Sequence, residues 1–168
     1  MLALGTPWPE FRLARVAGGT FASTDFGPQP ILLMVLCAHC PFVKHIEPEI
    51  TRLQNDFASR VQFVGISSNS LITHPQDGPA QLAEQAQRHG WAFPYLLDDQ
   101  QVLAKSLQAA YTPEFYLFSQ DNKSSSPTLQ YRGQLASSRP GNNQPLEGSD
   151  PRAALDAVLA EVPVTQSQ

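Results

Sequence analysis

The sequence predicts an α/β fold, in which a central mixed β-sheet carries helices on both faces. Two observations favour this class. The continuously apolar stretch 31–36 and a second predicted buried strand, 61–67, enclose a segment of helical periodicity, which is the strand, helix, strand order of a parallel pair. Further on, the short runs 114–118 and 129–134 flank a Ser-rich turn and indicate an antiparallel hairpin. The predicted sheet therefore contains both kinds of pairing.

Composition and charge limit the class of function. The chain of 168 residues is 42% hydrophobic, with a net charge of −4 and 11 scattered Lys and Arg residues. Nothing in this pattern indicates a basic surface for nucleic acid or for an anionic membrane. No apolar run approaches the roughly 20 residues that span a bilayer, and the N-terminus lacks the pattern of a secretory signal. We therefore expect one cytoplasmic domain over residues 1–168, with a frayed tail at 163–168.

The elements before the first central strand are predicted at the periphery of the fold. Residues 11–16 and 20–24 flank a Gly-Gly turn and read as a β-hairpin. Breaker residues at 26–30 then precede the strand at 31–36, whose unbroken apolar character is typical of burial on both faces. After that strand, apolar side chains recur at helical spacing from 41 to about 59.

The rest of the chain alternates loops with short elements. After the second buried strand at 61–67 we predict a loop at 68–78, a helix at 79–90 and a strand at 91–97. A helix at 100–108 follows, with Asp98-Asp99 as its cap, and then the hairpin described above with its turn at 121–127. The chain ends with a loop at 137–149 and a helix at 151–161, which Asp150 caps.

The two cysteines of the chain form one Cys-x-x-Cys motif between the first buried strand and the long helix. The thiolate is the reactive form of cysteine, so a working site must lower a pKa near 8.5, and a helix N-terminus favours that. His39, between the cysteines, adds a donor or a positive charge, and Pro41 fits the first helical turn. We expect Cys37 to be the nucleophile and Cys40, about one turn further on, to be the resolving thiol.

Three other interpretations of the motif compete with redox chemistry. The cysteines could be half of a zinc site completed by a histidine, although a second Cys-x-x-Cys and a paired His-x-x-x-His motif are both missing. They could also be inert core thiols, or a structural disulfide, which would stabilise little across so short a loop. We expect no metal and no bound cofactor.

Thr112-Pro113 stands between a predicted helix and a predicted strand. From the residues alone, the Thr112–Pro113 bond is expected to be trans, because only about 5–6% of X-Pro bonds in folded proteins are cis. The two residues then read as an ordinary helix-to-strand turn.

The layout resembles the thioredoxin fold, with Cys-x-x-Cys after the first central strand and Thr-Pro before a later one. More closely, the chain is similar to redoxin proteins of the alkyl hydroperoxide reductase and thiol-specific antioxidant superfamily, many of them thioredoxin-family proteins or probable thiol-disulfide isomerases. The segments that carry the resemblance are 37–45, 65–69, 74–79, 93–98, 112–118, 131–135 and 138–141. Residues 68–98 look like the insertion of the peroxiredoxin-like branch.

The resemblance implies that Pro113 is cis, packs against the dithiol, and together with Thr112 presents backbone groups to an extended substrate. His39, Pro41, Thr112 and Pro113 would then shape the site. The chain also departs from its relatives. Peroxiredoxins place a Thr three residues before the peroxidatic cysteine, whereas here Met34 precedes Cys37 and Cys37 precedes Cys40 at that spacing.

The expected function is therefore thiol-disulfide oxidoreduction, by which disulfides are reduced, oxidised or isomerised. The expected partners are a disulfide-containing protein or small molecule and an unidentified dithiol reductant. One alternative is a thiol peroxidase acting through Cys37, and another is a non-catalytic thioredoxin-fold binding module. His39 before the second cysteine predicts a reduction potential above that of thioredoxin. Arg132 and Arg139 could frame the site in this fold, but isolated arginines are usually solvated, so we expect them to be surface residues.

Overall fold

The computed structural model describes residues 1–120 and 124–165, which contain a seven-stranded sheet. Its strands are β1 (Arg12–Arg15), β2 (Thr20–Ala22), β3 (Ile31–Val35), β4 (Gln62–Ser67), β5 (Tyr95–Leu97), β6 (Glu114–Ser119) and β7 (Thr128–Gly133). The order across the sheet is β2-β1-β5-β4-β3-β6-β7. The pairs β3–β4 and β4–β5 are parallel, and the other neighbours are antiparallel. The prediction of a mixed sheet is confirmed, with the two hairpins at its opposite edges.

Helices cover both faces of the sheet, as predicted. They are α1 (Pro41–Phe57), α2 (Pro79–His89), α3 (Val102–Ser106) and α4 (Ser149–Leu159). One core joins the sheet to α1, α2 and α4, through side chains such as Ile50, Leu82 and Leu155. The other core joins the opposite face to α3 and to the N-terminal segment, through Leu103 and Leu2.

The central strand β3 determines where the site lies. All five of its residues are buried, and it pairs with parallel β4 on one side and antiparallel β6 on the other. Val35 is in register with Glu114, so the end of β3 lies next to the start of β6. The segment that follows β3 contains Cys37, and the residue before β6 is Pro113. The sheet register therefore brings the dithiol and the Thr-Pro turn to the same edge.

The helix predicted at 100–108 is shorter in the structure, where α3 has only five residues. Gln101 adopts a left-handed conformation with φ of 58°, so the helix cannot begin before Val102. The buried carboxylate of Asp98 instead reaches across this turn and accepts the backbone N–H groups of Leu103 and Ala104. Asp98 is thus the helix cap that the sequence predicted, but the helix that it caps begins at Val102 and not at residue 100.

The polar residues of α1 do not all face solvent. Glu47, Glu49 and Gln54 are buried, because α2, α4 and the segment after α2 provide partners for them. Helical periodicity alone does not distinguish a polar residue that faces water from one that faces a neighbouring helix.

Some predictions fall outside the described residues. The turn predicted at 121–127 and the tail predicted at 163–168 include residues 121–123 and 166–168, which are not described. The prediction of a single domain over the whole chain stays a prediction. Among the helices of the described residues, none combines the length and the apolar character needed to cross a membrane.

Candidate active site

The two cysteines lie at the junction of β3 and α1. Cys37 is completely buried at 0% exposure, whereas Cys40 is partly exposed and is the N-cap residue of α1. Pro41 occupies the first turn of that helix, where a missing N–H leaves no hydrogen bond unmade. Both thiols are free, and the two cysteines are 4.4 Å apart.

The Thr112–Pro113 bond is cis, and this turn lies against both thiols. Cys37 Sγ is 3.5 Å from the Thr112 hydroxyl oxygen, and the Cys40 thiol donates to the Thr112 carbonyl oxygen over 3.8 Å. The cis bond that the resemblance implied is therefore present, and not the trans bond that the residues alone favoured.

A buried carboxylate next to the dithiol was not identified from the sequence. Asp77 is 0% exposed and lies in a 3-10 turn, Pro75–Asp77, before α2. Its Oδ1 accepts the backbone N–H groups of Ala38 and His39 at 2.8 and 3.1 Å. Its Oδ2 contacts His39 Nδ1 at 2.6 Å and accepts from the Asn69 amide at 2.7 Å. The carboxylate therefore holds the two residues between the cysteines by their main chain and by the histidine ring.

The expected lowering of the Cys37 pKa is wrong for this structure. Burial raises the pKa of Cys37 to about 11, and the negative charge of Asp77 raises it further. The Thr112 hydroxyl and the Cys40 amide favour the thiolate, but burial outweighs them. For Asp77 burial acts in the same upward direction, yet the donors from Asn69, Ala38 and His39 prevail and lower its pKa. At neutral pH a protonated Cys37 lies beside an ionised Asp77.

A metal ion at this place would compete with existing hydrogen bonds. Ligand atoms of Cys37, His39 and Asp77 lie within 4.8 Å of one another. Both Asp77 oxygens are already engaged by N–H donors, and one of these is the His39 ring. His74 stacks on His39, with ring centroids 5.0 Å apart. The donor set therefore fits a hydrogen-bonded cluster better than a zinc site.

A second polar network holds the main chain of Cys37. The Gln85 amide, on α2, donates to the Cys37 carbonyl oxygen at 3.1 Å and to Glu47 Oε1 at 2.7 Å. The Tyr95 hydroxyl donates to Gln85 Oε1 at 2.9 Å, and His89 Nε2 lies 2.7 Å from Glu47 Oε2. These groups are buried or nearly so, and they fix the main chain of Cys37 against α2.

Two clefts share Tyr111 and Thr112 in their linings. The first, of about 300 Å³, is largely apolar and is bounded by Phe42, Tyr111, Pro113 and Leu135. Phe42 and Tyr111 are 47% and 60% exposed, although both are large apolar side chains. The second cleft, of about 280 Å³, is lined by polar groups that include Ser68, Asn69, Gln101 and Lys105. Thr112 thus borders both an apolar and a polar cleft.

The two arginines considered at the sequence level differ from each other. Arg139 is exposed and donates to the carbonyl oxygens of Ala136 and Ser138 at the rim of the apolar cleft. Arg132, in contrast, is 5% exposed and pairs with the buried carboxylate of Glu114 at 2.5 Å. The expectation that Arg132 is a solvated surface residue is therefore wrong.

Two solved structures are similar to this chain over its whole length. The chain resembles an uncharacterised conserved protein from Geobacillus kaustophilus, with 41% identity, a TM-score of 0.92, and coverage of 100% of this chain and 88% of that one. A hypothetical protein from Sinorhizobium meliloti 1021 is 32% identical, with a TM-score of 0.93 and coverage of 100% and 90%. No curated protein sequence matches the chain.

A more distant neighbour establishes the fold. It is a protein of Chlorobium tepidum TLS described as a thiol:disulfide interchange protein of the thioredoxin family, 16% identical, with a TM-score of 0.68 over 95% of this chain and 99% of that one. The prediction of a thioredoxin-like fold is confirmed. The AhpC/TSA family model matches residues 4–125. The chain belongs to the AhpC/TSA family.

Proposed function

We propose that this protein is a thiol-disulfide oxidoreductase that works through the Cys37–Cys40 pair. The observation that carries the proposal is that two free cysteines, 4.4 Å apart, both contact Thr112 of the cis Thr-Pro turn, which borders an open cleft. Exchange with a substrate disulfide would leave a Cys37–Cys40 disulfide and two substrate thiols. Family membership supports a redox role, and the Chlorobium tepidum protein's description agrees with it.

The surrounding residues have roles in the proposal that follow from their contacts. Thr112 places its hydroxyl and its carbonyl oxygen against the thiols, and Thr112 and Pro113 both line the apolar cleft. His39 is held on Asp77, and Pro41 starts α1 behind Cys40. The proposed substrate is a disulfide in a polypeptide or small molecule, and a separate dithiol reductant completes the cycle. Thiol exchange itself requires no bound cofactor.

A reducing compartment is part of the same proposal. Both cysteines of the chain belong to one motif, which is the usage expected of working thiols in the cytosol and not of a secreted disulfide scaffold.

Reduction of insulin tests the proposed function. With dithiothreitol as the reductant, the wild-type protein should accelerate precipitation of the insulin B chain, and the double variant Cys37→Ser/Cys40→Ser should not. Titration against a glutathione redox buffer should yield one intramolecular disulfide, detected as the loss of two hydrogens by mass spectrometry. An inactive wild type that forms no such disulfide would refute the proposal.

The same preparation distinguishes the peroxidase alternative, which family membership favours. A peroxidase would convert one thiol to a sulfenic acid with hydrogen peroxide and then release water as the second thiol closes the disulfide. Stopped-flow oxidation that is fast and saturable with peroxide, together with no activity on insulin, would favour peroxide reduction over disulfide exchange as the function.

A further inference from the structure

Thr112, which contacts both thiols, belongs to a segment that has little hydrogen bonding of its own. Within the part of the chain that the structure describes, residues 110–113 make no hydrogen bond between two backbone groups. Just before them, Gln108 has a φ of 52° although it is not a glycine. Such a conformation persists only where surrounding contacts hold it. The position of Thr112 at the thiols therefore depends on contacts from elsewhere in the fold.

These contacts come from a buried ion pair. Glu114 and Arg132 are 1% and 5% exposed, and Arg132 Nε donates to Glu114 Oε1 at 2.7 Å. The other carboxylate oxygen of Glu114 accepts the backbone N–H of Ala110 at 3.2 Å. Arg132 Nη2 donates to the Gln108 carbonyl oxygen at 3.4 Å. The pair thus holds the segment at two backbone positions before Thr112.

The ion pair is fixed by the sheet, whereas the segment that it holds lies at the surface. Glu114 is the first residue of β6, and Arg132 lies in β7 directly opposite Tyr116, with its guanidinium carbon 5.6 Å from the centroid of that ring. Gln108 and Ala110, in contrast, are exposed. Without the pair, their backbone groups could hydrogen-bond to water, and the segment would be free to move away from the sheet.

Stability alone is a weak explanation for this pair. Burial removes the hydration of both charges, and well-packed apolar residues of similar volume often stabilise a fold equally well or better. What apolar residues could not replace are the bonds from the pair to Ala110 and Gln108. These bonds concern the shape of the segment next to the thiols and not the cohesion of β6 and β7.

We propose that Glu114 and Arg132 are positioning residues for disulfide exchange, which hold residues 108–113 so that Thr112 stays against the two thiols. This inference rests on the proposed function and adds a requirement to it. It is carried by the two bonds from the buried pair to the segment and by the contacts of Thr112 with both sulfur atoms. Neither residue of the pair contacts a reacting atom, so both act through the segment.

The consequence differs between two kinds of substrate. Tyr111 and Thr112 line both clefts, so the chain that flanks a polypeptide disulfide must lie against them. A small aromatic disulfide has no flanking chain and needs only the thiols. Displacement of the segment should therefore slow exchange with a polypeptide much more than exchange with a small disulfide.

The test removes the pair without leaving one charge buried alone. Glu114→Leu/Arg132→Met places two apolar side chains at these positions, and urea denaturation should show a folded protein of nearly wild-type stability. Insulin reduction should slow by about tenfold or more and the KM for insulin should rise, because small displacements of a positioned group have large effects on rate. Release of a coloured thiol from an aromatic disulfide should stay within about threefold of the wild-type rate.

Two further variants provide a graded comparison and a control. Arg132→Lys keeps a positive charge for Glu114, but one ammonium replaces the guanidinium that reaches both Glu114 and Gln108, so its insulin rate should lie between those of the wild type and the double variant. Arg152→Ala breaks a different buried pair, with Glu49 on α1, and should lower stability while both rates stay those of the wild type.

The outcomes separate this inference from the proposed function. A folded double variant that reduces insulin at the wild-type rate would overturn the positioning role, and so would an equal loss of both rates, while an active wild type left the oxidoreductase function standing. If the double variant does not fold, Arg132→Lys decides: a loss confined to insulin supports the role, and unchanged rates overturn it. A wild type that exchanges with neither substrate would refute both proposals.

Discussion

Two buried carboxylates of this protein have similar exposure and opposite surroundings. Asp77 is 0% exposed beside the dithiol, and Glu49 is 1% exposed on α1, facing α4. Glu49 contacts two guanidinium groups, Arg52 at 2.5 Å and Arg152 at 2.8 Å. Asp77 has no guanidinium or ammonium partner among the described residues, and its donors are two backbone amides, the Asn69 amide and the His39 ring.

The difference teaches what each charge can do. Two cations neutralise Glu49 locally, so its charge acts mainly on the contact between α1 and α4. Dipolar donors stabilise the Asp77 carboxylate without cancelling its charge, so its field reaches the neighbouring Cys37 thiol. The first carboxylate holds two helices together, whereas the second raises the pKa of a neighbouring thiol.

Breaking the Glu49 cluster, which consists of Glu49, Arg52 and Arg152, should have the largest effect of the predicted changes. We expect it to lower stability and to leave thiol reactivity unchanged. In Arg152→Ala the nearly buried Glu49 keeps only Arg52, whose side chain is 52% exposed. Loss of one partner from a buried ion pair costs about 3–5 kcal/mol, so with Arg52 remaining we expect the free energy of unfolding to fall by about 2–3 kcal/mol. Urea denaturation measures this loss, and the rate of thiol exchange should stay that of the wild type.

An exposed pair provides the matched control. Arg88 contacts Glu84 one turn away on α2, and both side chains are at least 60% exposed. Arg88→Ala should change the free energy of unfolding by less than about 0.5 kcal/mol. Equal losses in the two arginine variants would show that the burial of Glu49 has no energetic consequence.

Removing the charge of Asp77 should have an intermediate effect, this time on reactivity. In Asp77→Asn the side chain keeps its size and a carbonyl oxygen for the amides of Ala38 and His39, but the negative charge beside Cys37 is lost. Since that charge raises the pKa of Cys37, we expect the Cys37 pKa to fall and the thiolate fraction at alkaline pH to rise roughly three- to tenfold. The measurement is the pH dependence of iodoacetamide alkylation in a Cys40→Ser background.

The Glu49 cluster again serves as the comparison. Arg152→Ala in the same Cys40→Ser background should leave the alkylation profile of Cys37 unchanged, although it lowers stability. A shift of equal size in both variants would mean that alkylation reports loosening of the fold and not the charge of Asp77.

The elements of this fold that the sequence predicts are those whose burial leaves a regular pattern of apolar residues. An unbroken apolar run located β3, a mostly apolar run located β4, and helical spacing located α1, because buried strands and amphipathic helices leave such patterns in any chain. The dithiol was equally visible as a local motif. The cis geometry of Pro113 was not visible in the residues, and only the resemblance to a known fold implied it.

Long-range polar contacts could not be predicted in the same way. Asp77 accepts hydrogen bonds from the amides of Ala38 and His39, which precede it by 39 and 38 positions. In the sequence it belongs to a segment that is predicted as a polar loop before a helix. Its segment, 74–79, did carry the resemblance to redoxins, which was the one signal that could have drawn attention to it. Glu114 and Arg132 are 18 residues apart and meet only because β6 and β7 pair. The pKa of Cys37 depends on such contacts, so a motif alone predicted its direction wrongly.

The smallest expected effect concerns stability at acid pH. The hydrogen bonds from Asn69, Ala38 and His39 hold the pKa of Asp77 below its usual value near 3.8. The unfolded chain therefore binds a proton at Asp77 at a higher pH than the folded chain does. The stabilising contribution is fully present above the unfolded pKa, and it is lost as the pH falls through the lower, folded pKa.

Wild-type stability should consequently decline more steeply than that of Asp77→Asn as the pH falls through about 4 and below. Urea denaturation of both proteins at a series of acid pH values measures the two slopes, and Asp156→Asn on the exposed side of α4 controls for the change in net charge alone. Parallel slopes for wild type and Asp77→Asn would show that the donors around Asp77 do not favour its ionised form. The contrast with Glu49 would then lose its physical basis, because a carboxylate that the fold does not hold ionised exerts no constant field on Cys37.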